Sequence, residues 1–336
     1  MTDLKDQNVN HLNVLIIGCG NIAGGFDATN ETITFPYTHA GAYLKDGRFN
    51  IIACIDPDDA CREKFMIRWN VLFGFRTIDD ILKVDLAFDV ISICSPTSFH
   101  SEHIKNAINL KPKLIFCEKP ITDSIEEIDI LVEKCKKSNI LLMVNYTRRW
   151  DPYILELKNQ INNGQRGLLR SIVAYYNKGI LNNGSHIIDL LHFLLGPLRL
   201  IDVGKPILDF FPNDPTIPVF LETLIGLPIY LAPGYAKDYS IFEIQFIFSE
   251  GSLVMEDGGL SWLERRVINS DTFKDYRLLN KGDRHAGSYQ FAMLKSVDNI
   301  YLAIKKGEEI VSTGESALEA YKLCSEIKKA SLILMD

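Results

Sequence analysis

Residues 14–23 read VLIIGCGNIA, and the fold turns on how this stretch is read. The first four residues form an unbroken apolar run, as expected of a strand buried on both faces of a parallel sheet. The six that follow have glycines at 18 and 20 and a small residue at 23. Directly after a strand, Gly18 permits a tight turn and Gly20 lets the backbone approach a pyrophosphate. Ala23 then allows a helix to pack closely on the sheet. Asn21 and Ile22 complete the turn, and the amides opening the next helix would hold the phosphate. The same pattern can serve a plain strand-to-helix corner, so the surrounding chain has to decide.

Outward from this stretch, similar runs follow: IIACI (51–55), VISIC (90–94), LIFCE (114–118) and LLMVN (141–145). Between them lie the helical patterns CREKFMIRW (61–69), SEHIKNAINL (101–110) and SIEEIDILVEKCKKS (124–138). In the last, Ser124 is a candidate N-cap, with glutamates in the first turn and lysines near the end, as the helix dipole favours. Strands alternating with helices predict an α/β domain with a doubly wound parallel sheet, the Rossmann arrangement, over residues 1–147. Asp56 ends the second run, where a carboxylate accepts hydrogen bonds from the adenosine ribose and repels a 2′-phosphate. NAD is therefore expected over NADP, although Arg62 is placed to tolerate a phosphate. The acid usually follows the glycines by about 20 residues. The excess here is the polar stretch FDATNETITFPY (26–37), read as a loop inserted before a helix THAGAYLKD (38–46) that Thr38 could cap. As the competing reading, Asp56 is simply a turn aspartate before Pro57.

Past Trp150 the pattern changes. LLRSIVAYYN (168–177), VFLETLIGLPIYLA (219–232), SIFEIQFIFSEGSLVMED (240–257) and SWLERRVIN (261–269) are longer and alternate, the third as two strands about a Ser-Glu-Gly turn. They predict a C-terminal α+β domain with an antiparallel sheet over residues 148–336. The last two patterns, 288–307 and 313–332, are helices free to pack back on the first domain.

A length of 336 residues exceeds one typical core. The composition, 47% hydrophobic and 24% charged, is that of a globular protein. A net charge of −7 argues against nucleic-acid or anionic-membrane partners. The seven cysteines are scattered, without zinc spacing, so no metal site is expected and the thiols read as reduced in a cytoplasmic protein. The polar N-terminus has no signal-peptide core, and no apolar run is long enough to span a membrane.

Chemistry is expected at the carboxyl ends of the parallel strands, where open sheets bind ligands. One run ends in Ser95-Pro96-Thr97 with His100 nearby. Another ends in Glu118-Lys119-Pro120, which aims Lys119 at the cofactor crevice, and Pro120 is a candidate for a cis bond. The stretch NKGILNNGSHIIDLLHFLLG (177–196) puts His186 at the start of a strongly apolar helix that residues Asn182 to Ser185 could cap.

In this order, GCGNIA, Ser-Pro-Thr with His100, EKP and Asn-Asn-Gly-Ser-His resemble the glucose–fructose oxidoreductase / inositol dehydrogenase / rhizopine catabolism (Gfo/Idh/MocA) family over most of residues 12–200. The resemblance implies a nicotinamide-dependent oxidoreductase acting on a secondary alcohol or ketone of a sugar, polyol or nucleotide sugar. It implies an open sheet in the second domain, used for substrate binding and for a homo-dimer or homo-tetramer. It places Lys119 near the reacting hydroxyl. It also aligns the family's Asp-x-Gly-x-His pattern with residues 182–186, which makes His186 the general acid/base. The family's aspartate is Asn182 here. An asparagine can orient substrate or imidazole but cannot raise the imidazole's basicity as a carboxylate does.

The residues themselves support these roles. Histidine's ordinary pKa suits proton transfer near neutrality, and a lysine cation stabilises a developing alkoxide. The dipole at a helix start favours the neutral imidazole. Asp189, one turn further on, could bond His186 or simply favour the dipole. Arg149 and Trp150 at the domain junction are candidates for anion recognition and for stacking on a sugar, against a competing role in salt bridging. Lys178 could also reach substrate. A non-catalytic NAD(P)- or sugar-binding regulator, and a lyase or hydrolase that oxidises transiently, remain open at this point.

Overall fold

The computed structural model describes residues 11–29 and 34–334. The polar stretch 1–10 and residues 30–33 of the predicted inserted loop lie outside the described residues.

In chain order the first part runs β1 (Leu12–Ile17), α1 (His39–Asp46), β2 (Phe49–Ile55), α2 (Asp59–Trp69), β3 (Phe73–Phe75), α3 (Ile78–Ile81), β4 (Val90–Ile93), α4 (Thr97–Asn109), β5 (Leu114–Cys117), α5 (Ile125–Lys137) and β6 (Leu141–Val144). The strands form one parallel sheet in the order β3-β2-β1-β4-β5-β6, the doubly wound Rossmann arrangement predicted above. Apolar side chains of β1, β4 and β5, among them Val14, Ile16, Val90, Leu114 and Phe116, are fully buried, as an unbroken apolar run requires. Only β3 lacks a counterpart among the predicted runs, because three residues are too few to show a period. The Ser124 hydroxyl caps α5, accepting from Glu127 N at 3.2 Å.

After the glycines the chain departs from expectation. No regular helix opens there. Residues 21–24 form a turn, followed by a 3₁₀ turn at Gly25–Asp27. The helix resumes at α1, where His39 N donates to Ile22 O at 3.2 Å and Ala40 N to Ala23 O at 2.8 Å. Residues 24–38 are thus an excursion between the glycine turn and α1. Asp56 lies 36 positions beyond Gly20 (56 − 20), and removing these 15 residues leaves 21, close to the usual spacing of about 20.

The buried Asp27 closes the excursion. Its carboxylate accepts from Tyr37 N (3.0 Å), Thr38 N (2.9 Å) and Thr38 Oγ1 (2.6 Å). Thr38 Oγ1 in turn caps α1 by accepting from Gly41 N, so an anion sits where the helix dipole favours one. From α2, Arg68 donates to Ala28 O at 2.8 Å.

The second part runs α6 (Pro152–Asn162), β7 (Leu169–Tyr176), α7 (Ser185–Leu195), β8 (Leu198–Val203), β9 (Ile207–Phe211), β10 (Asp214–Thr216), β11 (Val219–Thr223), β12 (Pro228–Pro233), β13 (Phe242–Phe248), β14 (Gly251–Glu256), β15 (Ser261–Asn269), β16 (Arg277–Leu279) and β17 (Asp283–Ala286). One sheet is ordered β16-β15-β14-β13-β7-β12-β11-β8, with β17 also on β15, and β9 pairs with β10 separately. The Ser-Glu-Gly turn joins β13 to β14, with Phe248 opposite Gly251. The predicted run 219–232 is a hairpin, β11 and β12, turning through Gly226. The sheet is mixed rather than purely antiparallel, since β12 pairs parallel with β7. A parallel pair needs a long crossover, and here the crossover contains α7. Ile187, Ile188, Leu190, Leu191 and Leu194 of that helix join Ile172, Ala174, Leu221, Ile229 and Phe246 of the sheet in one core.

Two helices complete the chain, α8 (Ala292–Lys306) and α9 (Gly314–Leu332). The chain divides into two compact units. One holds the chain up to Trp150 with Phe291–Leu318, and the other holds Asp151–Gln290 with the chain from Glu319. In the first, α8 is tied by Arg48 to Asp298 at 2.7 Å, with the guanidinium 4.1 Å over the Tyr301 ring. No helix among the described residues is long and apolar enough to cross a membrane.

Asp27→Ala removes the acceptor for two backbone amides and the Thr38 hydroxyl at a buried site. It should lower stability by roughly 1–3 kcal/mol, read as a lower urea midpoint at an unchanged m-value. An unaltered midpoint would mean that the carboxylate does not hold the excursion in place.

Candidate active site

The glycine turn is shaped by two different absences of a side chain. Gly18 has φ +89°, and a Cβ there would stand 2.6 Å from Ser95 N at the end of β4, so only glycine fits. Around Gly20 nothing lies within 4 Å of where a Cβ would be, leaving its backbone open to a bulky phosphate. Asp56, at the end of β2, accepts from Cys19 N at 2.8 Å and from Asp58 N at 2.9 Å. Its carboxylate therefore orders the turn as well as being placed for a ribose. Arg62 is engaged by the Asp56 carbonyl (2.6 Å) and the Asp59 carboxylate, and that bond to Asp59 pushes the guanidinium pKa up. These features fit a dinucleotide, with Gly18, Gly20, Asn21, Ile22 and Ala23 lining the turn and Asp56 beside it.

The neighbouring strand ends are bound together. Ser95 Oγ meets His103 Nδ1 at 2.8 Å, and burial holds the His103 pKa down. Pro96 precedes Thr97 at the start of α4, where no side chain caps the helix. His100 is buried with one ring nitrogen 2.7 Å from Ser95 O and the other 2.8 Å from Pro120 O. The imidazole spans the ends of β4 and β5.

At the end of β5, Glu118 meets two side chains, one of which continues into a buried polar chain. His39 Nε2 lies 2.9 Å from Glu118 Oε1, and Asn145 Nδ2 donates to the same oxygen at 2.6 Å. His39 Nδ1 faces Ser92 Oγ at 3.3 Å, and that hydroxyl meets Tyr43 OH at 2.8 Å. His39, Tyr43 and Ser92 are fully buried. Burial pushes the Glu118 carboxyl up, but the His39 bond and charge, the Asn145 amide and the Lys119 charge outweigh it, leaving the pKa below the usual range. Lys119 follows immediately, half-buried, and its peptide bond to Pro120 is cis. His39 was legible in the sequence only as a residue beside a helix cap, because nothing local marks a partner 79 positions away.

In the second unit the Asn-Asn-Gly-Ser-His stretch takes a form the sequence reading did not anticipate. Gly179–Gly184 is a π-helical segment that runs straight into α7, and Gly184 is itself in the right-handed helical region with no side-chain cap. Ser185 Oγ donates to Asn182 O instead of capping. Asp214 of β10 accepts from Leu181 N and Asn182 N, both at 2.9 Å, while Thr216 Oγ1 accepts from Gly179 N and Asp209 from Lys178 N. The start of the helical path is therefore at 179 and is met by a carboxylate, so the bare dipole expected beside His186 is absent. Single-turn π segments recur at functional sites. Asn182 Nδ2 donates to Lys178 O at 3.1 Å. His186 is half-buried with the Phe242 ring 6.5 Å away, edge to face. Asp189 is buried on the same helix. Lys178 holds a left-handed backbone, with its ammonium 5.5 Å from the Phe210 ring.

Arg149 and Trp150 differ from expectation. Trp150 is 2% exposed, its indole N–H donates to Asn299 Oδ1 at 3.0 Å, and Phe116 meets it edge to face. Arg149 is buried and donates to Val311 O at 3.1 Å. Both belong to the packing of the first unit, because the 3₁₀ turn Thr147–Trp150 drives them inward. Among the described residues no three His, Cys, Asp or Glu side chains gather as metal ligands.

Comparison with known proteins bears on this geometry. The family model GFO_IDH_MocA, described as "Oxidoreductase family, NAD-binding Rossmann fold", matches residues 12–146. Inositol 2-dehydrogenase of Rhizobium meliloti (strain 1021) is 26% identical over 307 residues, covering 85% of this chain and 90% of its own. An oxidoreductase from Agrobacterium radiobacter, solved with NAD+, L-tartaric acid and magnesium, superposes with a TM-score of 0.75 at 17% identity over 96% of each chain. The WlbA dehydrogenase from Bordetella pertussis, solved with NADH and UDP-GlcNAcA, gives 0.75 at 15% identity, over 96% of this chain and 97% of that one. At such identities the two structures share a fold with this chain.

Trp150→Ala should cost about 3–5 kcal/mol of stability, the scale for a large buried aromatic. A variant of normal thermal stability and raised substrate KM would instead restore the stacking role. Gly18→Ala should raise the NADH dissociation constant at least tenfold by fluorescence titration, since at 2.6 Å from Ser95 N a Cβ forces the turn open.

Proposed function

We propose that this chain, which belongs to the Gfo/Idh/MocA oxidoreductase family and carries its NAD-binding Rossmann domain, transfers hydride between nicotinamide and a secondary alcohol or ketone of a sugar or polyol. The observation that carries this reading is the combination, within one unit, of a glycine turn open at Gly20 and a lysine placed directly after the partly buried, hydrogen-bonded Glu118 carboxylate. The polyol or sugar class draws support from the relative named for inositol, which aligns over 90% of its length. A carboxylate at the end of β2, with Arg62 engaged by Asp59, favours NAD.

When bound, NAD supplies a hydride acceptor at the nicotinamide ring. The side chains manage the proton and the developing charge. Lys119, as a cation, stabilises the alkoxide that forms as the carbinol O–H is lost. An imidazole nitrogen of His186 takes that proton in oxidation and returns it in reduction. The Asn182 amide and the Lys178 ammonium orient substrate hydroxyls by hydrogen bonds. In this role Asn182, unlike an aspartate, brings no negative charge of its own to His186.

Lys119→Ala and His186→Asn should each reduce turnover of the best sugar or polyol by about 10²-fold or more, with NADH binding preserved. Full turnover in either removes that residue from the mechanism. Asn182→Asp should move the acid limb of the oxidation profile to higher pH, because a neighbouring anion favours the imidazolium and the base must be neutral to act. An unmoved limb would separate Asn182 from the proton-transfer step.

A further inference from the structure

We propose that His39 is a positioning residue that couples the glycine turn to the strand end carrying Lys119 and keeps Glu118 ionised beside that lysine. The proposal rests on the reading of Lys119 given above.

His39 is the first residue of α1, and its two ends face different parts of the first unit. Its backbone N–H donates to Ile22 O at 3.2 Å, inside the turn that follows Gly20. Its side chain lies 2.9 Å from Glu118 Oε1 at the end of β5. The ring cannot swing away, because it packs against Phe116 with centroids 4.5 Å apart and its other nitrogen faces Ser92 Oγ. Ser92 is anchored in turn by Tyr43 OH at 2.8 Å, one helical turn along α1.

A carboxylate this enclosed stays ionised only if donors replace water. The side chain of Glu118 is 15% exposed, and His39 and Asn145 both meet its Oε1. The titratable groups facing it are His39, Lys119 and the thiols of Cys94 and Cys117. Burial first, and then the Glu118 charge, push both thiol pKa values far up, so they stay neutral. The Glu118 carboxylate and the Lys119 ammonium thus act on each other at this strand end. If His39 is removed, Glu118 loses a donor in a largely enclosed site, takes up a proton more readily, and favours the Lys119 ammonium less. The excursion 24–38 leaves this arrangement intact, because α1 resumes on the Ile22 and Ala23 carbonyls and so delivers His39 to the same place.

The test reads Lys119 without any substrate. In full-length protein with reductively dimethylated lysines, the carbon-13 signal that disappears in Lys119→Ala reports its titration. His39→Leu should shift that titration to lower pH. His39→Gln, which keeps an N–H toward Glu118, should leave it near the wild-type position. Glu118→Gln should shift it downward, and adding His39→Leu should shift it no further, since both changes act through one carboxylate. If His39→Leu does not fold by thermal unfolding, His39→Asn, polar but too short to reach Glu118, takes its place with the same expectation. An unchanged titration in a folded variant overturns the proposal, as does a further shift in the double variant. In turnover, His39→Leu should lose about tenfold or more in kcat, the worth of one hydrogen bond to a charged group, with NADH affinity kept. Absence of sugar or polyol turnover in the wild-type protein would sink the functional reading and leave the Lys119 titration to decide the role of His39.

Discussion

The close approach of Gly18 to Ser95 is the constraint from which the cofactor edge follows. β1 and β4 are neighbours where the strand order reverses, and their ends meet at a distance no Cβ tolerates. With the turn pressed against β4, Cys19 N reaches Asp56 and the backbone at Gly20 faces open space. From Ser95 the coupling continues sideways. Its carbonyl meets His100, whose other nitrogen meets the carbonyl of Pro120. The turn, the end of β4 and the end of β5 are thus joined by short polar contacts, and Lys119 sits on the last of them.

Anions perform most of the local ordering. Asp56 accepts the Cys19 amide, Asp27 the amides of Tyr37 and Thr38, Asp209 those of Lys178 and Ala236, and Asp214 those of Leu181 and Asn182. In each case a carboxylate replaces the water that amides of an irregular segment would otherwise need. The device suits segments with no regular ladder: the glycine turn, the excursion before α1 and the π-helical entry to α7. Glu118 follows the same logic with side-chain donors.

Where function depends on local order, the sequence was a good guide. VLII, IIACI, VISIC, LIFCE and LLMVN are five of the six strands of the parallel sheet, and EKP lies at the strand end where it was expected, because buried parallel strands leave an unmistakable apolar run. The spacing anomaly at Asp56 was visible, and the polar stretch 26–37 to which it was assigned lies between the glycine turn and α1, with residues 30–33 outside the described residues. Contacts between distant segments were not legible. His39 meets Glu118 across 79 positions, and Asp214 meets the Asn182 amide across 32, and neither pair carries a local signature. The helix start at His186 was misjudged for a related reason. Asn-Asn-Gly-Ser has cap-forming composition, yet acceptors from β10 satisfy the amides first and the helical path extends back to Gly179. Trp150 was misjudged because an aromatic after two arginines looks like a surface feature, while a 3₁₀ turn faces it inward.

Asp214 also gives a physical account of the asparagine at 182. The Asn182 amide already donates to Asp214 Oδ2, and the Leu181 amide to the other oxygen of that carboxylate. Gly179 packs so closely that a Cβ there would lie 2.1 Å from the same carboxylate. An aspartate at 182 would add a second negative charge to a segment whose donors are committed, and like charges in a partly desolvated site each raise the cost of ionising the other. A neutral amide avoids this and keeps a donor, which it spends on Lys178 O. The segment therefore has its carboxylate, Asp214, beneath the backbone, and from there it secures the geometry of the π-helical entry.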